Sequence, residues 1–290
     1  MRLVSYRAGG ETRVGARANG AIVDLHAVSD DVPRDMHGLL AGGQRAMAAA
    51  RAALAEGEHR ANLHAPADAE LLPVVPRPPK IICIARNYAE HAAEANLEVL
   101  EYPNIFIRYP RSLIASGEPI QVPTVSDKVD WEAELAVIIG TEGKHISRDQ
   151  ALDHVAGYAI FNDVSVRDWQ LRVKQFGAGK NFDASGPLGP DLVTADEIPD
   201  PQALAIELRV NGEVMQLSTT AQMVFSVADL IEHVSTYSTL EPGDVIATGT
   251  PSGVGHFRKP PVYLKAGDTV RIEIEGVGIQ ENPVINEPAT

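Results

Sequence analysis

DWEAELAVIIG, residues 130–140, reads as a β-strand entering a core. Side chains alternate across a strand, so Glu132 and Glu134 project from one face and Ala136 and Ile138 continue it. Leu135, Val137 and Ile139 fill the other face. Two carboxylates are therefore forced together at the mouth of an apolar strand, with nothing adjacent in sequence to neutralise them. A lone Glu-x-Glu is also an ordinary solvated edge, and this stretch alone leaves both readings open.

Working outward, short β-rich runs recur between turn signals: Ile81–Ile84, Ile105–Ile107, Ala156–Phe161, Ile206–Val210, Val245–Thr248 and Val270–Ile274. Asn211-Gly212 marks a hairpin, and Pro242-Gly243 and Ala266-Gly267 precede strands. One amphipathic helix interrupts them, with Met223, Val224, Val227, Leu230, Ile231 and Val234 on one face. The class is mostly β (α+β). Upstream, residues 1–72 read as a small α+β unit: a strand at Leu3–Tyr6, a hairpin turning at Asn19-Gly20, and an Ala-rich helix near Met47–Leu54. Residues 73–79, within LPVVPRPPK, form a Pro-rich linker, and 80–290 form the main domain.

Bulk properties narrow the function. With 25 Lys+Arg against 39 Asp+Glu, the net charge of −14 argues against a nucleic-acid partner. No stretch approaches the roughly 20 apolar residues of a membrane helix, and MRLVSYRAGG lacks a signal-peptide core, so a cytoplasmic location is expected. Cys83 is the single cysteine, which rules out an intrachain disulfide or a zinc–thiolate cluster and leaves oxygen or histidine ligands for any metal.

Four further pieces bear chemistry. Asp163 closes the apolar run GYAIFND just before Ser165 and Asp168, an S-x-x-D helix-start pattern. If it converges on Glu132 and Glu134, the three carboxylates form a hard oxygen site suited to Mg²⁺ or Mn²⁺, with Ca²⁺ also admitted. Arg167 and Gln170, three apart on the new helix, share a face that reaches a substrate or merely meets solvent. In ARNYAEHAAEAN (85–96), His91 and Glu94 lie one helical turn apart, the arrangement of an oriented general base or of an incidental surface pair. The few large apolar anchors of that helix fit a mobile lid. Lys180, in FGAGKNFDASGPLGP, sits among glycines that permit close approach to a ligand, and ATGTPSGVG (247–255) offers Thr250 and backbone amides to a carboxylate. The latter lacks the Gly-Lys-Ser/Thr ending of a nucleotide-binding loop.

Taken in order, RNYAEHAAE, DWEAELAVIIG, NDVSVRDWQ, GKNFDASGPLGP and TGTPSGVG resemble the fumarylacetoacetate hydrolase family, over about residues 79–286. The resemblance implies a mixed β-roll core with flanking helices, a homodimer, and Mg²⁺ or Mn²⁺ on Glu132, Glu134 and Asp163. It places His91 and Glu94 on a lid over the metal as the catalytic pair with Lys180. It assigns substrate contacts to Arg86, Arg167, Gln170, Gly249 and Thr250. The N-terminal unit is similar to a small extra domain of prokaryotic members.

These roles imply a small anionic keto acid as substrate. Hydrolysis of an acylpyruvate- or fumarylpyruvate-like β-diketo acid to pyruvate and a carboxylic acid is the first expectation, because a His–Glu pair suits activation of water. Decarboxylation or isomerisation (tautomerisation) of oxaloacetate or a 2-hydroxydienedioate is the alternative, and a non-catalytic keto-acid-binding protein is a third. Tyr109, Arg108 and Arg111, in YPNIFIRYPRS, are candidates to meet a distal polar group, with packing and surface roles equally open.

Overall fold

A computed structural model describes residues 1–94 and 98–288. The strand opened by the two glutamates, Ala133–Ile139, is buried along its whole length. Its two faces feed different cores. Leu135, Val137 and Ile139 join one apolar cluster, while Ala136 and Ile138 join another. Each large side chain so buried contributes about 1.5–3 kcal/mol.

Ala133–Ile139 lies inside a ten-stranded sheet, flanked antiparallel by Val155–Asn162 and Val245–Ala247. Beyond Val245–Ala247 the sheet adds Ile81–Ala85, in parallel, and Asn104–Arg108. Beyond Val155–Asn162 it adds Leu192–Thr194, then the N-terminal strands Arg2–Ala8, Glu11–Ala18 and Ala21–Asp24. A second sheet of five strands is built on two hairpins, Ala205–Val210 with Glu213–Thr219 and Thr269–Ile274 with Gly278–Asn286, joined by pairing of Ala205–Val210 with Thr269–Ile274. Ile206, Leu208, Ile272 and Ile274 pack against the Leu135 face. This mixed architecture, mostly β with flanking helices, is the one expected.

Sequence signals located most elements, and the differences have identifiable causes. Asn19 and Gly20 have φ of 51° and 81°, and Asn211 and Gly212 of 52° and 84°, as two-residue turns with left-handed central residues require. The amphipathic helix runs Val227–Tyr237, so Met223 and Val224 precede it. Ser226 caps it, accepting from the Asp229 amide while Asp229 accepts from Ser226. Met223 still packs on the same core as an extended residue directly after the 3-10 turn Thr220–Gln222, which is why the periodicity ran too far. The Ser165/Asp168 cap does not form. Ser165 Oγ donates back to the Asp163 carbonyl (3.0 Å), Asp168 accepts from Ser126 Oγ (2.6 Å), and the short helix Arg167–Gln170 starts without a side-chain cap.

The Pro-rich stretch is packed chain. Val74 and Val75 are buried, and the Val74 amide donates to the Leu188 carbonyl. Leu3, Val14 and Leu39 of the N-terminal part share a cluster with Ala136, Ile138 and Phe161. The first strand thus continues the sheet that carries the glutamates. No helix among the described residues is long and apolar enough to cross a membrane.

Candidate active site

Asp163 leaves the end of Val155–Asn162 directly beside the start of Ala133–Ile139. Its amide donates to the Glu132 carbonyl (2.9 Å), and the Glu132 amide donates to Asn162 Oδ1 (3.1 Å). This register brings Glu132, Glu134 and Asp163 to one point, with one oxygen of each within 4.8 Å of the others, all buried.

The charges around that point are unevenly distributed. Lys180 Nζ donates to Glu132 Oε2 (2.7 Å) and Asp163 Oδ2 (2.6 Å). Arg108 Nη1 donates to Asp163 Oδ1 (2.6 Å), and Arg167 Nη1 lies 2.7 Å from Glu132 Oε1. Burial opposes charge on Glu132, but the Lys180 and Arg167 cations outweigh it and hold that carboxyl low. Among the described residues, Glu134 accepts only from the Gly249 amide, at 2.9 Å. Burial, and then the negative charge of Asp163 and Glu132, push its carboxyl well above the usual range. Burial disfavours the Lys180 charge, yet its two carboxylate partners raise its pKa. The donor set, three convergent carboxylates with one lacking a cation, fits a hard divalent ion.

Local backbone explains the placement. Gly249, at φ +95°, lets its amide reach Glu134; a Cβ there would stand 2.8 Å from Asn87 Cβ and 2.9 Å from the Ile84 carbonyl. Gly179 brings the turn bearing Lys180 against Gln170, where a Cβ would meet the Gln170 nitrogen at 2.3 Å. Glycine is demanded at both positions by close packing.

A chamber of ≈ 360 Å³ opens over the carboxylates. Arg86, His91, Arg167, Gln170, Lys180 and Thr250 line it along with Glu132 and Glu134. Glu94 stands behind His91, its Oε2 3.4 Å from Nδ1, and is itself held by the Gly253 amide. The metal, catalytic and substrate residues implied by the resemblance therefore gather around one chamber, whereas the distal candidates Arg108, Tyr109 and Arg111 do not line it. His91 and Glu94 lie on the helix Ala89–Glu94, while Ala95 and Asn96 of the quoted motif lie outside the described residues. Two guanidinium donors on the wall, Arg86 Nε and Arg167 Nη2, are buried without a hydrogen-bond partner among the described residues.

Sequence reasoning missed the groups that hold this machinery. Asp130 accepts from Arg167 Nε (2.7 Å) and from the amides of Gly255 (2.7 Å) and His256 (2.9 Å), tying the substrate-facing arginine to the Gly-rich turn. Its only signal was its place two residues before Glu132. Arg108, offered as a distal contact, is instead buried against Asp163, Ser185 and the Val164 carbonyl at the end of the edge strand Asn104–Arg108. Tyr109 is exposed, and Arg111 pairs with Asp183 at the surface. The chamber wall is completed by Phe106, Phe176, His256 and Phe257.

Three buried carboxylates with the donor chemistry to hold a metal ion lie beneath the His91–Glu94 pair in a mixed β architecture. The chain belongs to the fumarylacetoacetate hydrolase family: residues 80–285 match Fumarylacetoacetate (FAA) hydrolase C-terminal, and family members are enzymes. Among relatives, oxaloacetate tautomerase fahd2, mitochondrial, of Xenopus laevis is 46% identical over 294 residues, covering 98% of this chain and 90% of its own. Fumarylacetoacetate hydrolase from Exiguobacterium antarcticum is 35% identical with a TM-score of 0.84, covering 99% of this chain and 100% of that one. Maleylpyruvate hydrolase from Sphingobium sp. SYK-6, solved in complex with manganese (II) ion and pyruvate, is 32% identical with a TM-score of 0.80 over 99% and 100%.

Proposed function

We propose that this chain is a divalent-metal-assisted tautomerase of oxaloacetate, interconverting its enol and keto forms. The likeness to an oxaloacetate tautomerase along 98% of the chain favours this over the acylpyruvate hydrolysis put first from sequence. The observation that carries it within the site is the pairing of the carboxylate-oriented imidazole of His91 with unsatisfied guanidinium donors above a carboxylate floor. One proton carrier and anion-holding donors are what moving a proton within a small dianion demands, with no water nucleophile required.

Glu132, Glu134 and Asp163 would hold Mg²⁺ or Mn²⁺, with Ca²⁺ also compatible. When bound, the ion supplies positive charge that acidifies the carbon beside a 2-oxo group. Glu94 accepts a hydrogen bond from His91 Nδ1–H, which leaves Nε2 as the base. His91 removes a proton from C3 and returns it to the oxygen at C2, while Lys180 stabilises the negative charge that develops there. Arg86 and Arg167 bind the carboxylate of the 2-oxo acid end, Gln170 and Thr250 orient it, and Gly249 keeps Glu134 in place. Action on a small anion in the cytoplasm by a homodimer completes the proposal.

The test follows decay of enol absorbance of oxaloacetate with Mg²⁺ or Mn²⁺, comparing wild type with His91→Gln and Glu132→Gln. Acceleration over metal alone, lost in both variants, supports the reading. Cleavage of acetylpyruvate to acetate and pyruvate without enol–keto acceleration restores the hydrolase, and CO₂ release without it indicates a decarboxylase.

A further inference from the structure

His256 lines the chamber but has no part in the steps above. It flanks Phe257 on one side, with ring centroids 5.1 Å apart, and His91 flanks the same ring at 6.0 Å. Both imidazoles have Nδ1 engaged, but by chemically different partners. Glu94, an anion, can only accept from His91 Nδ1, so His91 turns a bare Nε2 to the chamber. His256 Nδ1 lies 2.8 Å from the Tyr263 hydroxyl, which makes no other hydrogen bond among the described residues. When that phenol donates, His256 carries its proton on Nε2.

Burial, and then the neighbouring Arg167 cation, hold the His256 pKa below the ordinary histidine range, so the ring is a neutral donor. Its backbone is fixed as well, since the His256 amide donates to the same Asp130 oxygen that receives Arg167 Nε. The chamber thus presents two histidines of opposite tautomer that both pack on one phenylalanine.

We infer that His256 is a specificity-determining residue whose Nε2–H receives the remote carboxylate of a dicarboxylic 2-oxo acid while the floor and arginines hold the 2-oxo acid end. This deepens the tautomerase reading and rests on it. It selects a four-carbon dianion over pyruvate, which has no group to reach His256.

The experiment uses the Mg²⁺-loaded full chain and compares wild type, His256→Phe and His256→Gln. Oxaloacetate tautomerisation and inhibition by pyruvate are measured on each, together with long-range ¹H–¹⁵N correlation of the imidazoles. A hydrogen bond to a charged group is worth roughly a tenfold to hundredfold change in affinity. His256→Phe is expected to raise the KM for oxaloacetate by about tenfold or more. Its pyruvate inhibition constant should stay within about twofold, as expected of a ligand that makes no contact with the altered side chain. His256→Gln, which retains a donor, should fall between, and wild-type His256 should show its proton on Nε2. Equal changes for both ligands, no change for either, or a proton on Nδ1 would overturn the assignment. A wild type that fails to accelerate tautomerisation counts against the tautomerase reading alone; calorimetric binding of oxaloacetate and pyruvate to the same variants then decides the role of His256.

Discussion

Replacing Arg108 by methionine tests how the carboxylate cluster is held. Arg108 is 1% exposed and Asp163 is fully buried, and the guanidinium donates to Asp163 Oδ1, Ser185 Oγ and the Val164 carbonyl at 2.6, 2.6 and 3.1 Å. Removing one partner of a buried ion pair costs about 3–5 kcal/mol, because the other charge is stranded. Lys180 still faces Asp163 at 2.6 Å, which places the expected loss near the lower end, about 3 kcal/mol. At about 2 °C per kcal/mol for a chain of this size, Arg108→Met should lower the thermal midpoint of the chelated protein by about 6 °C. Manganese supplies a replacement positive charge beside Asp163, so the midpoint gain on adding it should be larger in the variant than in wild type. Scanning calorimetry at neutral pH, with and without Mn²⁺, measures both quantities. Adding Asp163→Asn should recover part of the loss. A loss below about 1 kcal/mol, or a double variant no more stable than Arg108→Met, would refute the stranded-charge account.

The other predictions are narrower. Because burial and two neighbouring anions raise the Glu134 pKa in the folded chain, its charge destabilises the metal-free protein above the unfolded value of 4.5, and that protein should gain stability as pH falls through the folded value. Glu134→Gln should flatten this slope in chelated protein, raise its midpoint at neutral pH and abolish stabilisation by Mn²⁺; a slope matching wild type counts against it. His91→Gln should lower kcat by about 10²-fold, with a smaller drop for Glu94→Gln, in the enol-decay assay. Gly249→Ala forces a Cβ to within 2.9 Å of the Ile84 carbonyl at φ +95°, and should cost about 1–3 kcal/mol in denaturant unfolding while raising KM. Ser226→Ala removes the helix cap and should cost about 1 kcal/mol with turnover unchanged.

What the sequence revealed depended on how local each signal was. The alternation in DWEAELAVIIG, the two Asn-Gly turns and the His91–Glu94 spacing are properties of neighbouring residues, and each survives in the fold. Asp163 and Lys180 reach the glutamates only through pairing of Ala133–Ile139 with Val155–Asn162 and a turn packed on Gln170; the family resemblance, rather than spacing, brought them together on paper. The role of Arg108 was left open between ligand contact, packing and surface for the same reason. A strand with an arginine near its end does not announce whether that arginine faces solvent or a buried aspartate. Asp130 was overlooked because its partners, Arg167 and the amides of Gly255 and His256, come from two distant turns.

The position of Arg2–Ala8 beside Leu192–Thr194 has a consequence for autonomy. A shortened chain starting at Lys80 would keep all eleven residues named for the site, but it would uncover the edge of Leu192–Thr194. It would also bare the apolar side of Ala136, Ile138 and Phe161 that Leu3, Val14 and Leu39 now cover. An open strand edge beside exposed apolar surface invites self-association, so such a fragment is expected to aggregate before its chemistry can be measured. Here the opening residues act as a shield for the strand that presents the glutamates.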